Sequence, residues 1–330
     1  MKLLAIRFAR LGDVLLLLPA LGSLKERFPS SRLTLLTGHL CAPIAEMCPT
    51  VDEVIAVDRV AMRDGPRLTA LGQMVRLVRD IRQRRFDVVI DFHSFRETNL
   101  LTFLSGAPVR IGMKRDRAAY WGFCFSEPGV PEDKNIHVSE MFERVAASLT
   151  ARVPAQGTQA EPAVKGPVLH VPDFVKRPDT IVLYVDAPVP DRIWPPERFA
   201  EVADFAIERL KAMVIVISSR TGAGLAGRVR DASRNSTQIE LFTDLSIREL
   251  AATIASARLL VSNDTGPMHI GSAVGTPTLG LFSVGYPEHF RPIGPSDKFL
   301  RGQPIERIAV KEVVAKVGLM WPIAGRDLLR

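Results

Sequence analysis

Short apolar runs alternate with longer amphipathic stretches along the whole chain. In the first half the β-rich runs fall at 3–8, 33–37, 54–57, 88–92 and 109–111. The segments between them carry apolar residues at helical spacing, most clearly over 71–84. A second series follows at 181–185, 213–217, 239–242, 259–262 and 278–282, with a last helical stretch over 308–320. Strands that alternate with helices imply parallel sheets covered on both faces, because parallel neighbours need a crossover connection. Two such series predict an α/β protein of two doubly wound, Rossmann-like domains facing a central cleft. Residues 152–179 break the alternation with Pro154, Pro162, Pro167, Pro172 and Pro178, which reads as a linker. The expected domains are therefore 1–160 and 175–330, and the last helix could pack on either.

Composition narrows the class. The chain has 330 residues, 47% hydrophobic and 24% charged, with a net charge of +7. That is ordinary for a globular protein with a sizeable core, and the positive excess points to anionic partners. Cys41, Cys48 and Cys124 lack metal-ligand spacing and read as reduced thiols of a cytosolic protein. Arg7, Arg10 and Asp13 interrupt the run leading into Leu15–Leu18, and nothing approaches about 18 uninterrupted apolar residues. The expectation is a cytoplasmic protein that can touch a membrane without crossing it.

In doubly wound sheets, ligands bind beyond the carboxyl ends of the strands. Two segments there carry chemistry. After the first strand comes Arg10-Leu11-Gly12-Asp13, with a helix expected to begin near Asp13 and Pro19 expected to kink it or displace its start. Asp13 has two readings: a helix cap, or a general base that takes a proton from an attacking hydroxyl. After 259–262 comes Asn263-Asp264-Thr265-Gly266-Pro267-Met268-His269. Pro267 suits the first turn of a helix, Gly266 allows close approach, and the amides of Thr265, Gly266 and Met268 would cradle an anion with His269 nearby. Arg192, in the loop after 181–185, could add a fixed positive charge for a diphosphate. His93 lies at another strand end and reads as an acceptor-side residue.

Together these segments identify the chain as similar to the ADP-heptose:lipopolysaccharide heptosyltransferase family, glycosyltransferase family 9, whose architecture is GT-B. The resemblance rests on Ile6-Arg7-Phe8-Ala9-Arg10-Leu11-Gly12-Asp13-Val14, Pro19-Ala20-Leu21 and Arg27-Phe28-Pro29. It continues through Asp91-Phe92-His93 with Arg96, Arg110-Ile111-Gly112, His137, Trp194-Pro195-Pro196-Glu197-Arg198-Phe199, and Asp264-Thr265-Gly266 with His269. It implies an inverting glycosyltransferase that moves a heptose from a nucleotide-diphospho-sugar, ADP-heptose, to a lipopolysaccharide core acceptor. Asp13 would be the base. Arg192, Asp264, Thr265, Gly266, Met268 and His269 would hold the donor, and Arg10, His93, Arg96 and Arg115 would lie on the acceptor side. No metal and no resident cofactor are expected. The partners are the sugar nucleotide, an acidic glycolipid and, peripherally, the inner face of the cytoplasmic membrane, with no nucleic acid.

The chain departs from the family at Asp186-Ala187-Pro188, where a hydroxyl-bearing turn is usual. Asp186 there would repel a phosphate. Ser218–Gly224 lacks the family's ribose-binding acid. Two rivals remain. Gly222-Ala223-Gly224-Leu225-Ala226-Gly227 fits the G-x-G-x-x-G dinucleotide pattern, with Glu240 at about the right distance, but it follows the second strand of its series. That reading would make the chain an NAD(P)-binding Rossmann enzyme. The second rival is a non-catalytic binder of acidic ligands. Arg76, Arg79, Arg82, Arg84 and Arg85 crowd one helix, and Lys114, Arg115 and Arg117 follow a strand end. Such runs are usually solvated faces, and no interleaved aromatics offer base stacking.

Overall fold

The computed structural model describes residues 1–59, 61, 65–116, 120–157, 166–172 and 174–324. The chain divides into two compact units, Met1–Val164 and Lys165–Arg330. In the first, β1 (Lys2–Arg7), β2 (Arg32–Gly38), β3 (Glu53–Val57), β4 (Val88–Asp91), β5 (Val109–Lys114) and β6 (Val130–Pro131) form one sheet. Around it lie α1 (Leu11–Leu15), α2 (Leu18–Arg27), α3 (Ala42–Glu46), α4 (Arg67–Arg84), α5 (Arg96–Leu104) and α6 (Val138–Ala147). The second unit holds β7 (Thr180–Tyr184), β8 (Met213–Ser218), β9 (Ile239–Thr243), β10 (Leu259–Asn263), β11 (Thr278–Phe282) and β12 (Lys298–Arg301). Its helices are α7 (Pro196–Leu210), α8 (Ala223–Ala232), α9 (Ile247–Ser256), α10 (Gly266–Ala273), α11 (Pro287–Phe290) and α12 (Val310–Ala324).

The sheet orders are β3-β2-β1-β4-β5-β6 and β12-β11-β10-β7-β8-β9, parallel throughout. Counted within its own unit, each sheet reads 3-2-1-4-5-6, the order of dinucleotide-binding folds. Each therefore has one switch point, where the chain's direction of travel across the sheet reverses: β1 beside β4, and β7 beside β10. Ile6 pairs with Asp91 at the first and Tyr184 with Ser262 at the second. The strands at these points are apolar because helices cover both faces; Leu3 to Ile6 and Ile181 to Leu183 are wholly buried.

All ten expected strands form, and β6 and β12 are additional. β12 is a sheet edge and largely exposed, so its sequence carries no apolar run. Pro19 acts as expected. The first helix stops at Leu15, and α2 restarts at Leu18 with Pro19 in its first turn. The expected linker is shorter than 152–179. The amides of Gln156 and Gly157 donate to Arg27 O in the first unit, while Leu169 N donates to Ala273 O and the Leu169 and Val171 side chains are buried in the second. The second domain therefore begins before the expected residue 175; Pro162 lies outside the described residues. The described part of α12 belongs to the second unit, where Val313, Val317, Met320 and Trp321 join the core around Trp194 and Phe199. All three cysteines are buried and unpaired. Among the described residues, no helix is long and apolar enough to cross a membrane.

Candidate active site

At the first switch point, α1 begins at Leu11 rather than near Asp13, with Arg10 as its N-cap and no side-chain capping bond. Asp13 is thus no cap. It lies in the first turn, and its Oδ1 accepts from Arg7 Nη2 at 3.1 Å. Arg7 is the last residue of β1, and its guanidinium is buried. Nη1 donates to Phe92 O at 2.8 Å, and the group stacks 4.7 Å from the Phe142 ring. Burial lowers the Arg7 pKa to about 10, while Asp13 pulls it upward and Arg115 downward. The Arg7 side chain is 6% exposed and that of Asp13 29%. A buried cation thus pins an accessible carboxylate.

The neighbouring loop, after β4, is folded around Asp91. Its buried Oδ1 accepts the amides of His93 (3.0 Å) and Ser94 (2.7 Å), and Oδ2 accepts from Asn99 Nδ2 (3.2 Å). Burial raises the Asp91 pKa to about 6, with these donors opposing the rise. Ser94 takes a positive φ of 50°, which tightens the turn. The His93 ring is buried between Phe8 and Phe95, and its Nδ1 has no hydrogen-bond partner. Burial, with the charges of Arg7, Arg59 and Arg115, pulls the His93 pKa down to about 2, so the ring is neutral. Arg115 donates from Nε to His93 O at 2.8 Å and pairs with Glu132 at 3.3 Å. Arg7, paired with Asp13, and Arg115, paired with Glu132, thus hold two successive carbonyls of this loop, those of Phe92 and His93. Arg10 and Arg96 are exposed, the first as the cap of α1 and the second as the first residue of α5. Arg117 lies outside the described residues.

At the second switch point, Arg192 Nη1 lies 3.2 Å from Asp264 Oδ2 and donates to Asp264 O at 3.3 Å. Here the carboxylate is the buried member, 7% exposed, and the arginine the accessible one at 27%. Burial raises the Asp264 pKa and Arg192 opposes the rise. Gly285 presses on the same carboxylate so closely that a Cβ there would collide with it. Asn263 locks the loop after β7 in place. Its Nδ2 donates to Val185 O at 3.0 Å, and its Oδ1 accepts from Trp194 N at 3.2 Å. Trp194 is itself buried, with Nε1 donating to Ile308 O. These bonds carry Arg192 to the mouth of β10.

Thr265 caps α10, with Gly266 and Pro267 as its first residues. The anion cradle is smaller than expected: the Met268 amide donates to Thr265 O at 3.1 Å, and its side chain is fully buried against Gly280. Thr265 and Gly266 stay partly exposed at the helix start, and His269 is buried one position beyond Met268. Asp186 is not a loose charge either. Its carboxylate accepts from the amide and hydroxyl of Ser219, and Gly222 packs where any Cβ would strike it. The departure at Asp186 therefore ties the β7 loop to the β8 loop. The G-x-G-x-x-G segment spans this turn and α8, after β8 and away from the switch point, while Glu240 on β9 faces Arg177 at 3.7 Å. Among the described residues, no three His, Cys, Asp or Glu side chains gather as a metal site.

Sequence reasoning placed Asp13, Arg192 and Asp264 at strand mouths but missed Arg7 as the partner that holds Asp13. An arginine closing an otherwise buried strand was the available signal.

The model of glycosyltransferase family 9 (heptosyltransferase) matches residues 74–315, well over half of the chain. The protein belongs to glycosyltransferase family 9. Lipopolysaccharide heptosyltransferase 2 of Salmonella typhimurium is 22% identical, with 91% of this chain and 88% of the relative covered. A family 9 glycosyl transferase from Veillonella parvula superposes with a TM-score of 0.82 at 20% identity, covering 98% of this chain and 97% of the other. The E. coli heptosyltransferase WaaC, solved with ADP, gives 0.80 at 18% identity, covering 97% and 100%. The fold is GT-B, and the protein is a glycosyltransferase.

Proposed function

We propose that this glycosyltransferase moves a heptose from ADP-heptose to an acidic lipopolysaccharide-core acceptor with inversion at the anomeric carbon. Asp13 removes the proton of the attacking hydroxyl as the sugar's bond to the diphosphate breaks. The departing diphosphate needs no proton, but its growing charge needs donors in place before the reaction. Arg192 and the amides of Thr265 and Gly266 meet that charge, and His269 completes the donor pocket with Asp264, while Met268, its amide engaged by Thr265 O, supports the turn from the core. No resident cofactor or metal takes part. Arg10, His93, Arg96 and Arg115 lie on the acceptor side. The acceptor is lipid-anchored, so the protein works in the cytoplasm, in peripheral contact with the inner face of the membrane.

The observation that carries this reading is the pairing at the two switch points: each has one accessible charged group, Asp13 or Arg192, held by a buried partner of opposite sign. The test of the donor is a thermal-shift panel of ADP, UDP and GDP at equal concentration. A ligand at a hundred times its Kd adds about 2.7 kcal/mol of stability, enough to raise Tm by a few degrees. ADP should give the largest shift. A larger shift from UDP or GDP would remove ADP-heptose as the donor, and silence from all three would remove the nucleotide pocket.

A further inference from the structure

One charged helix is left over by the proposed chemistry. Over its 18 residues α4 carries five arginines and a single acid, Asp80, which is bonded to Arg84. Its inward face, with Leu77 and Ile81, joins the core of the first unit. Its outward face is not uniformly polar. Leu68 is 86% exposed, Leu71 61% and Val75 58%, which is unusual for three aliphatic side chains in one row. At 3.6 residues per turn, positions 68, 71, 75, 79 and 82 fall within about 80° of one another. The outward stripe therefore runs from three aliphatic residues into exposed Arg79 and Arg82, with Arg76 beside it. An aliphatic stretch continued by cations is the pattern of a helix lying in a lipid–water interface.

The helix also has a direction. β3 ends at Val57 and β4 begins at Val88, so α4 leaves the carboxyl edge of the sheet and returns toward the amino edge. Leu68 and Leu71 therefore lie toward the edge that carries Asp13 and His93, and Arg79 and Arg82 lie toward the other. We infer that the outward stripe of α4 docks the first unit on an anionic phospholipid bilayer, with Leu68, Leu71 and Val75 in the acyl boundary and the arginines on headgroup phosphates. The charge chooses this occupant: Arg76, Arg79 and Arg82 are exposed, while the helix's one acid, Asp80, is bonded to Arg84, so the outward stripe matches an anionic surface. The inference rests on the acceptor being a glycolipid only for its purpose. Docked in this way, the helix brings the acceptor-side edge down to where a lipid-anchored sugar is presented.

Flotation of the full chain with vesicles tests it. The protein should float with mixed phosphatidylcholine–phosphatidylglycerol vesicles and stay behind with phosphatidylcholine alone, and added salt should weaken binding. Combined Leu68→Ser, Leu71→Ser and Val75→Ser should cut binding at least tenfold, and so should combined Arg79→Glu and Arg82→Glu. Transfer to a delipidated, soluble acceptor should be unchanged in both variants, which also shows that they fold. Equal binding to neutral and anionic vesicles, or binding untouched by either variant, overturns the inference. So does a wild-type dimer that becomes monomeric in the Leu/Val variant while vesicles are ignored, since a second copy would then be the occupant. Absence of transfer to the soluble acceptor by the wild-type chain would refute the functional reading instead, and the vesicle result would still decide the surface.

Discussion

The two switch points are built to one plan with the charges exchanged. In the first unit the strand residue Arg7 is buried and the helix residue Asp13 is accessible; in the second, Asp264 is buried and the loop residue Arg192 is accessible. Both buried members lie at or just past the end of a strand, where the sheet fixes the backbone. Asp13 sits in the first turn of the helix that follows its partner's strand, whereas Arg192 comes from the loop after β7, the neighbour of β10. A buried charge costs several kcal/mol unless it is paired, so each buried group holds its partner firmly. The partner keeps a free face for solvent or substrate. Identical topology thus presents an accessible carboxylate in one unit and an accessible guanidinium in the other, which the proposed function uses as proton acceptor and anion receptor. The difference lies in which sign is buried and in which strand's loop supplies the accessible partner.

Removing Asp13 should give the largest effect. Asp13→Asn keeps an oxygen for Arg7 to donate to but cannot accept a proton, so turnover should fall by about 10²–10⁴-fold while ADP affinity stays within about threefold. Both variants remove the counter-ion of the buried Arg7; Asp13→Ala should lose the same activity and more stability than Asp13→Asn, by about 1–3 kcal/mol, because it also removes the acceptor of the Arg7 hydrogen bond. Steady-state kinetics and urea unfolding separate the two costs. An Asn variant with ordinary turnover would take Asp13 out of the chemistry and reduce the first switch point to a structural ion pair.

The mirrored experiment is smaller in activity and larger in stability. Arg192→Met removes a charge-assisted contact worth about 1.5–3 kcal/mol, so ADP should bind at least tenfold more weakly. It also strands the Asp264 carboxylate, which should destabilise the second unit by about 3–5 kcal/mol. Adding Asp264→Asn to Arg192→Met should recover most of the stability and none of the affinity. If the double variant recovers ADP binding as well, Arg192 acts only by neutralising Asp264, and the comparison between the units fails on the donor side.

Much of this plan was legible before any coordinates. The alternation of strands and helices, and the position of two unusual turns at strand ends, follow from periodicity alone, because buried parallel strands and amphipathic helices repeat differently. The pairings were not legible. Arg7 reads as a break in an apolar run, and its anchor, the carbonyl of Phe92, is 85 residues away, brought alongside only by the β1–β4 register. The Met268 amide looked free because sequence shows a helix start without showing which first-turn amides fold back on the cap. β12 was invisible for a related reason: an exposed edge strand such as Lys298–Arg301 needs no apolar face.

Asp186 provides the smallest effect and a control on the whole comparison. From sequence it is a third charge beside the donor loops, of the sign that should repel a diphosphate. In the fold its carboxylate is taken up by the Ser219 amide and hydroxyl and packed against Gly222, on the β8 side of β7 and away from β10. A charge engaged in this way and off the switch point should be screened from the ligand. Asp186→Asn should therefore change ADP affinity by less than about threefold by calorimetry, an energy well under 1 kcal/mol. A tenfold gain on neutralising Asp186 would mean that the donor reaches across to the β8 loop, and the anion receptor could then no longer be assigned to the β7–β10 mouth alone.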